Sequence, residues 1–275
     1  MRAAMQGASR DALKTARENL DVLIRVPGTD LDVLADELFA VVAILDREGA
    51  LRRALTDPGR SAGDRTTLVR SVLAGRISED TGDVLASVVS SRWSSARDLV
   101  HVLELLAVEA VIASAEREGR LDAVEDELFR TSRIIAGSPE LRVSLSDRSA
   151  PVEHRIALID GLLAGKVSDQ TARLARQAVA APRGRSLDRT LETYATVAAE
   201  RRSRVVATVT AAVPLTEEQR ERLSRALASI YGREIQLNID VNPGLVGGIR
   251  VEIGDEVIDG SVISRLGEAR RRLAG

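Results

Sequence analysis

Apolar residues recur at helical spacing through the first two hundred positions, and the pattern then changes to alternation. Leu31, Leu34, Leu38, Val41 and Leu45 fall on one face of a 3.6-residue period, as do Leu121, Val124, Leu128 and Ile135. Punctuation by Ser, Asp, Gly and Pro divides this region into predicted helices near 9–24, 30–47, 49–56, 63–74, 79–91, 95–118, 119–136, 139–145, 152–163, 169–180 and 186–203. Ala181-Pro182-Arg183-Gly184-Arg185 reads as a loop. Further on, Ile235, Leu237, Ile239 and Val241 alternate with Gln236, Asn238 and Asp240, the mark of a half-buried strand. Asn242-Pro243-Gly244 breaks that run. Ile249, Val251 and Ile253 then alternate again, and Gly254-Asp255 reverses the chain into Val257 and Ile258 as a hairpin. Val205 to Val209 predicts another strand. Thr216-Glu217-Glu218-Gln219, after Pro214, is a capping box opening a helix with Leu223, Ala226, Leu227 and Ile230 on one face and Gly232 as its stop. The pair Gly247-Gly248 predicts a positive φ or a close backbone approach. Val262, Leu266, Ala269 and Leu273 mark a terminal helix, with Arg270, Arg271 and Arg272 in its last turns.

An internal repeat organises the helical part. Asp36-Glu37-Leu38-Phe39 returns as Asp126-Glu127-Leu128-Phe129, and Leu73-Ala74-Gly75 as Leu163-Ala164-Gly165, each at an offset of 90 residues. Leu31, Ile44, Leu51, Leu55, Asp57, Arg65, Leu68, Ser78, Thr81 and Asp98 meet identical residues at the same offset. Farther on the register slips, so that Glu116-Arg117 faces Glu200-Arg201 and the second copy is shorter there by 6 residues. Identities that persist through the turns indicate duplication rather than shared helicity. The segment from about Ser95 to Leu121 closes the first copy and opens the second. The fold class is therefore mainly α: two tandem helical bundles, 1–105 and 106–204, followed by a small C-terminal α/β domain, 205–275.

Composition narrows the function. The chain has 275 residues, 44% hydrophobic and 29% charged, which is globular rather than disordered. A net charge of −2 gives no general pull toward nucleic acid or acidic lipid, and 2% aromatic content leaves too few rings for a base-stacking platform. There is no cysteine, which excludes disulfides and thiolate chemistry. No secretory signal is evident at the N-terminus. The most apolar run, Leu99 to Ala115, carries His101, Glu104 and Glu109 and is too short and too charged to span a bilayer. His101 and His154 have no partner at ligand spacing, so no metal site is expected and both histidines default to solvated or capping roles. Gly244 to Gly248 lacks the Lys-Ser/Thr ending of a phosphate loop and reads as a turn. Glu217-Glu218 and Asp255-Glu256 stand at a helix start and a turn, where acids are structurally favoured. Arg183, Arg185 and Arg189 read as a solvated surface, and Trp93 as a partly buried ring. No catalytic constellation and no cofactor site emerge.

The final segment is more specific. Leu245, Gly247, Gly248 and Ile249, followed by Val257-Ile258-Asp259-Gly260-Ser261 and Leu266, resemble the C-terminal signature of the delta subunit of F-type ATP synthases, the family called OSCP in mitochondria. Residues 106–275 resemble that family's whole arrangement of one helical bundle and a small α/β domain. The extra copy at 1–105 resembles the long actinobacterial form. The resemblance implies a peripheral-stalk subunit that makes and breaks no bonds. Its bundle would grip the N-terminal helix of an alpha subunit at the top of the catalytic head, with beta as a further neighbour. Its C-terminal domain would hold the end of the b subunit, and b should be a separate chain. The site would be the cytoplasmic face of the plasma membrane, reached through partners and without direct insertion.

For a helix-in-groove contact the expected lining is Val84, Leu85, Val88 and Val89 in the first copy and Leu174, Ala175, Ala178 and Val179 in the second. Val262, Leu266 and Leu273 are the expected b contact. Apolar helical faces are more often internal core than binding surface. Two other readings stay open: a generic adapter for amphipathic helices, and an enzyme using the small α/β domain.

Overall fold

The computed structural model describes residues 7–203, 205–231, 235–245, 248–253 and 256–259. The chain divides into two compact units, Met1–Ala199 and Glu200–Gly275. The first is helical. Its first copy contains α1 (Ala8–Arg25), α2 (Leu31–Arg47), α3 (Gly49–Thr56), α4 (Ala62–Leu73) and α5 (Glu79–Ser90). The long α6 (Ala96–Arg117) follows. The second copy continues with α7 (Leu121–Gly137), α8 (Pro139–Ser146), α9 (Val152–Leu163), α10 (Asp169–Ala180) and α11 (Leu187–Ser203). Side-chain caps explain many of the starts. Asp30 accepts from the amides of Asp32 and Val33, and Ser61, Ser78, Ser95, Ser138 and Ser168 each accept from an amide in the first turn of α4, α5, α6, α8 and α10. Each such cap contributes about 1 kcal/mol.

α6 differs from the others in being apolar on all sides. Leu99, Val102, Leu103, Leu106, Val108 and Ile112 are all buried, as are the residues between them except the half-buried His101. Such a helix belongs in the centre of a core. The run that reads as too charged for a membrane is thus the core of the unit, and among the described residues no helix is long and apolar enough to cross one. One continuous apolar cluster takes in Leu20, Leu38 and Leu85 of the first copy together with Leu128, Leu174 and Leu191 of the second.

The second unit carries β1 (Val205–Ala211), α12 (Glu217–Tyr231), β2 (Ile235–Val241), β3 (Ile249–Ile253) and β4 (Glu256–Asp259). The sheet order is β2-β1-β3-β4. β1 and β2 are parallel, with Ala207 opposite Leu237, and α12 makes the crossover between them. β1 and β3 are antiparallel, with Val209 opposite Val251, and β3 and β4 form the expected hairpin, with Val251 opposite Ile258. Ala207, Val209, Val251 and Ile253 meet Leu227 of α12 in a small core. The capping box forms in full: the Thr216 amide donates to Gln219 Oε1 at 2.9 Å, and the Gln219 amide donates to Thr216 Oγ1 at 3.3 Å. Gly248 has φ +79°, a conformation that favours glycine at the entry to β3. Gly232, Gly247, the Gly254-Asp255 reversal, Gly260, Ser261 and the helix expected around Val262, Leu266, Ala269 and Leu273 lie outside the described residues.

Candidate functional site

The duplication is visible in side-chain chemistry. In the first copy the Glu37 carboxylate of α2 accepts from the amide of Ser78 at 2.9 Å and from its hydroxyl at 2.7 Å, at the start of α5. In the second, Glu127 of α7 accepts from the amide of Ser168 at 2.9 Å, its hydroxyl at 2.7 Å and the hydroxyl of Thr171 at 2.6 Å, at the start of α10. Each acid thus closes the positive end of a helix. Burial by itself raises the Glu37 pKa, but the hydrogen bonds from Thr81 and Ser78 outweigh it and hold the carboxyl below the ordinary glutamate value. Arg65 donates to the carbonyl of Val89 at 2.8 Å, and its twin Arg155 to that of Val179 at 2.9 Å. Gly75 and Gly165 end α4 and α9 with φ of +69° and +67°.

The two copies are not separate in the chain. At the offset of 90, α1 corresponds to α6, so α6 is at once the last helix of the first copy and the first helix of the second. Ala12, Leu13, Ala16 and Leu20 of α1 are buried, and so are their twins Val102, Leu103, Leu106 and Ala110. The opposite faces differ. Thr15, Glu18, Asn19 and Val22 are exposed on α1, whereas their twins Leu105, Val108, Glu109 and Ile112 are buried. What buries them is the first copy. α2 packs along α6, and Arg17 of α1 forms a buried ion pair with Glu109. α2 also reaches α10, where Arg173 pairs with Asp32 at 2.6 Å and with Asp36 at 2.5 Å. The outward side of α6 beside α10 is therefore filled by the chain's own α2. The corresponding side of α1 beside α5 is open among the described residues. Asn19 bridges it to Ser87 of α5 at 2.5 Å, and Asp83, Ala86 and Ser90 lie on the same outward face.

A buried charge cluster joins the copies. Glu104, in the middle of α6, receives Arg183 Nη1 at 2.7 Å, Arg185, and the Tyr194 hydroxyl of α11 at 3.3 Å, with His101 Nδ1 at 3.6 Å. Arg183 also pairs with Asp46 at the end of α2 at 2.9 Å, and it takes up φ +47°, a strained value for a non-glycine residue. Burial raises the Glu104 pKa, but His101 and the charges of Arg185 and Arg183 outweigh it and hold it down to about 2. Burial and the Glu104 charge push the Tyr194 phenol upward. Arg183, Arg185 and His101 are thus structural partners of a buried acid rather than solvated groups. The signal for such partners is in the sequence: Glu104 and Glu109 stand inside a seventeen-residue apolar run, and acids buried there need partners.

The expected groove residues lie inside the bundle. Val84, Leu85, Val88 and Val89 of α5, and Leu174, Ala175, Ala178 and Val179 of α10, are all buried core positions. Trp93 is half-buried, its indole N–H donating to the Val88 carbonyl at 3.1 Å, and His154 is exposed. Of the C-terminal signature, Leu245 donates its amide to Asn242, Gly248 and Ile249 enter β3, and Val257, Ile258 and Asp259 form β4, with Val257 and Ile258 exposed. Among the described residues no group of acids and histidines has the arrangement of a metal site.

Comparison with known proteins gives these features a context. Residues 108–273 match the family described as ATP synthase delta (OSCP) subunit; the match starts within α6 and takes in the second copy and the sheet unit. The chain is 51% identical over 270 residues to the ATP synthase subunit delta of Streptomyces coelicolor, covering 98% of both chains. It is 49% identical over 269 residues to that of Kineococcus radiotolerans, again with 98% of both covered. A chain of the Toxoplasma gondii mitochondrial ATP synthase hexamer matches at 20% identity and a TM-score of 0.27, covering 61% of this chain and 95% of that one, which is too distant to carry an argument. The bacterial relatives span the whole length, so the added first copy is shared with them. The chain belongs to the ATP synthase delta (OSCP) family of non-catalytic subunits, in the long actinobacterial form with a duplicated N-terminal helical region.

Proposed function

We propose that the chain is a peripheral-stalk subunit of a proton-translocating ATP synthase. It would link the top of the catalytic alpha/beta head to the end of the b stalk and resist the torque of the rotor, at the cytoplasmic face of the plasma membrane. The observation that carries this reading is full-length similarity to proteins named ATP synthase subunit delta. The helical unit supports it physically. A stator must hold its shape under load, and here one central helix belongs to both copies, with ion pairs at both ends of α2 tying the copies together.

The same geometry favours one place for the alpha N-terminal helix. The groove beside α10 is filled by α2, so the open counterpart between α1 and α5 is the proposed site. Val84, Leu85, Val88 and Val89 would then hold α5 in position from inside, while Asp83, Ala86 and Ser87 on its outer side meet the partner. Leu174, Ala175, Ala178 and Val179 would do the same inner work for α10, whose outer side already meets α2. Val262, Leu266 and Leu273 remain the proposed contact for b.

Reconstitution tests the reading. Membrane vesicles from the organism that carries this chain, stripped of it, are expected to lose ATP-driven proton pumping and to regain it when the purified chain is returned. The chain alone is expected to turn over no ATP. Failure of the chain to rebind the stripped complex would overturn the reading.

A further inference from the structure

The two copies of the second helix meet different surroundings. Phe39 of α2 is 7% exposed, while its twin Phe129 of α7 is 54% exposed. Ile44 is partly buried, while its twin Ile134 is 55% exposed. These are the only two phenylalanines in the chain, so a half-exposed ring is a notable cost to leave in water. The polar outer faces of the outermost helices sharpen the contrast. α1 shows Thr15, Glu18 and Asn19 to solvent, and α11 shows Arg189, Glu192 and Thr196. Terminal elements of a stacked array are normally made polar in this way, whereas α7 leaves Phe129 and Ile134 exposed among its charged residues.

The structure also shows what lies along the stripe of α2 that carries Phe39. The segment over α2 places Arg173 against Asp32 and Asp36 at the start of that helix and Arg183 against Asp46 at its end, so it runs in the same direction as α2. α7 keeps the first half of this charge pattern, since Asp122 and Asp126 stand at the positions of Asp32 and Asp36. The far half is changed. Arg133 replaces Ala43, and Ala136 replaces Asp46. Arg130 pairs with Asp126 at 2.5 Å on the exposed surface, an interaction of small net energy that an incoming cation can share. Phe129 itself is left 54% exposed.

We propose that the outer face of α7 docks a helix of another subunit in the complex. That helix would lie parallel to α7, with a basic residue against Asp122 and Asp126 and small apolar residues over Phe129. About two turns later it would carry an acidic residue against Arg133. The inference rests on the stator reading and adds a contact separate from the α1–α5 groove. It is the internal α2–α10 contact repeated in trans, with its far end re-coded to admit a different helix.

Because the chain has no cysteine, an environment-sensitive dye at Ala136→Cys, a half-buried position two turns from Phe129 on the same stripe of α7, reports docking directly. The probe is the purified catalytic head stripped of this chain. Titration is expected to give a saturable blue shift. Phe129→Asp and Asp122→Arg are each expected to weaken head binding roughly tenfold with unchanged melting temperature. Full-affinity binding of the labelled chain with no shift, and of both variants as wild type, would overturn the α7 proposal and leave the stator reading standing. Absence of any binding by the unmodified chain would overturn both.

Discussion

Glu104→Leu is expected to destabilise the helical unit by about 3 to 5 kcal/mol, the cost of leaving partly buried cations without their acid. Arg183 would keep Asp46 and the Val100 carbonyl but lose Glu104, and Arg185 would lose its ion pair with Glu104. Domain stabilities are typically about 5 to 15 kcal/mol, so the loss would be a large fraction of the total. The effect should also be pH-dependent, and its sign follows from the direction of the shift. The Glu104 pKa is depressed in the folded state to about 2 from an ordinary value of 4.5. Its contribution is therefore fully present above the unfolded-state pKa and is lost as pH falls toward about 2. Its size at neutral pH is on the order of 3 kcal/mol. Urea unfolding of the wild type and Glu104→Gln should thus differ most at pH 7 and converge on acidification. Equal stability at pH 7 would show that the cluster contributes nothing.

Deleting residues 1–94, which leaves the Ser95 cap of α6 intact, is expected to produce an aggregating protein even though a complete second copy remains. The deletion strips α1 and α2 from α6 and exposes the face of Leu105, Val108 and Ile112, each worth about 1.5 to 3 kcal/mol of burial. The first copy supplies the remedy. At the corresponding places on α1 the chain carries Thr15, Glu18 and Asn19, residues suited to water. The truncated chain with Leu105→Thr, Val108→Glu and Glu109→Asn is therefore expected to be monomeric and folded, as judged by light scattering and circular dichroism. A monomeric, stable truncation without these changes would contradict the view that the two copies depend on the shared helix.

Much of this was legible in the sequence because local chemistry encodes it. The helix starts are written by Asp30, Ser61, Ser78, Ser95 and Ser168, and the periodicity between them needs no distant information. The β3–β4 hairpin was legible for the same reason, since its strands are separated by two residues. The position of β1 between β2 and β3 was not. Alternation says that a strand is half-buried, but it does not name the neighbour. The interior placement of Val84, Leu85, Leu174 and Ala175 could not be distinguished from a groove lining by spacing alone, because both uses require the same apolar stripe. The Glu104 cluster was hidden by distance, since its arginines come from a loop some eighty positions later and were read by their Pro/Gly surroundings alone. The repeat predicted two bundles, and its offset of 90 also placed α6 in both. What the offset could not reveal is that this sharing fills one groove and leaves its twin open.

The most direct test is isothermal titration of the intact chain with a peptide of the alpha N-terminal segment from the same organism. The account predicts one saturable site per chain, abolished by Ala86→Arg on the outer face of α5 and unaffected by Arg176→Ala on the outer face of α10. Two equivalent sites, or a single site lost with Arg176→Ala and kept with Ala86→Arg, would contradict it.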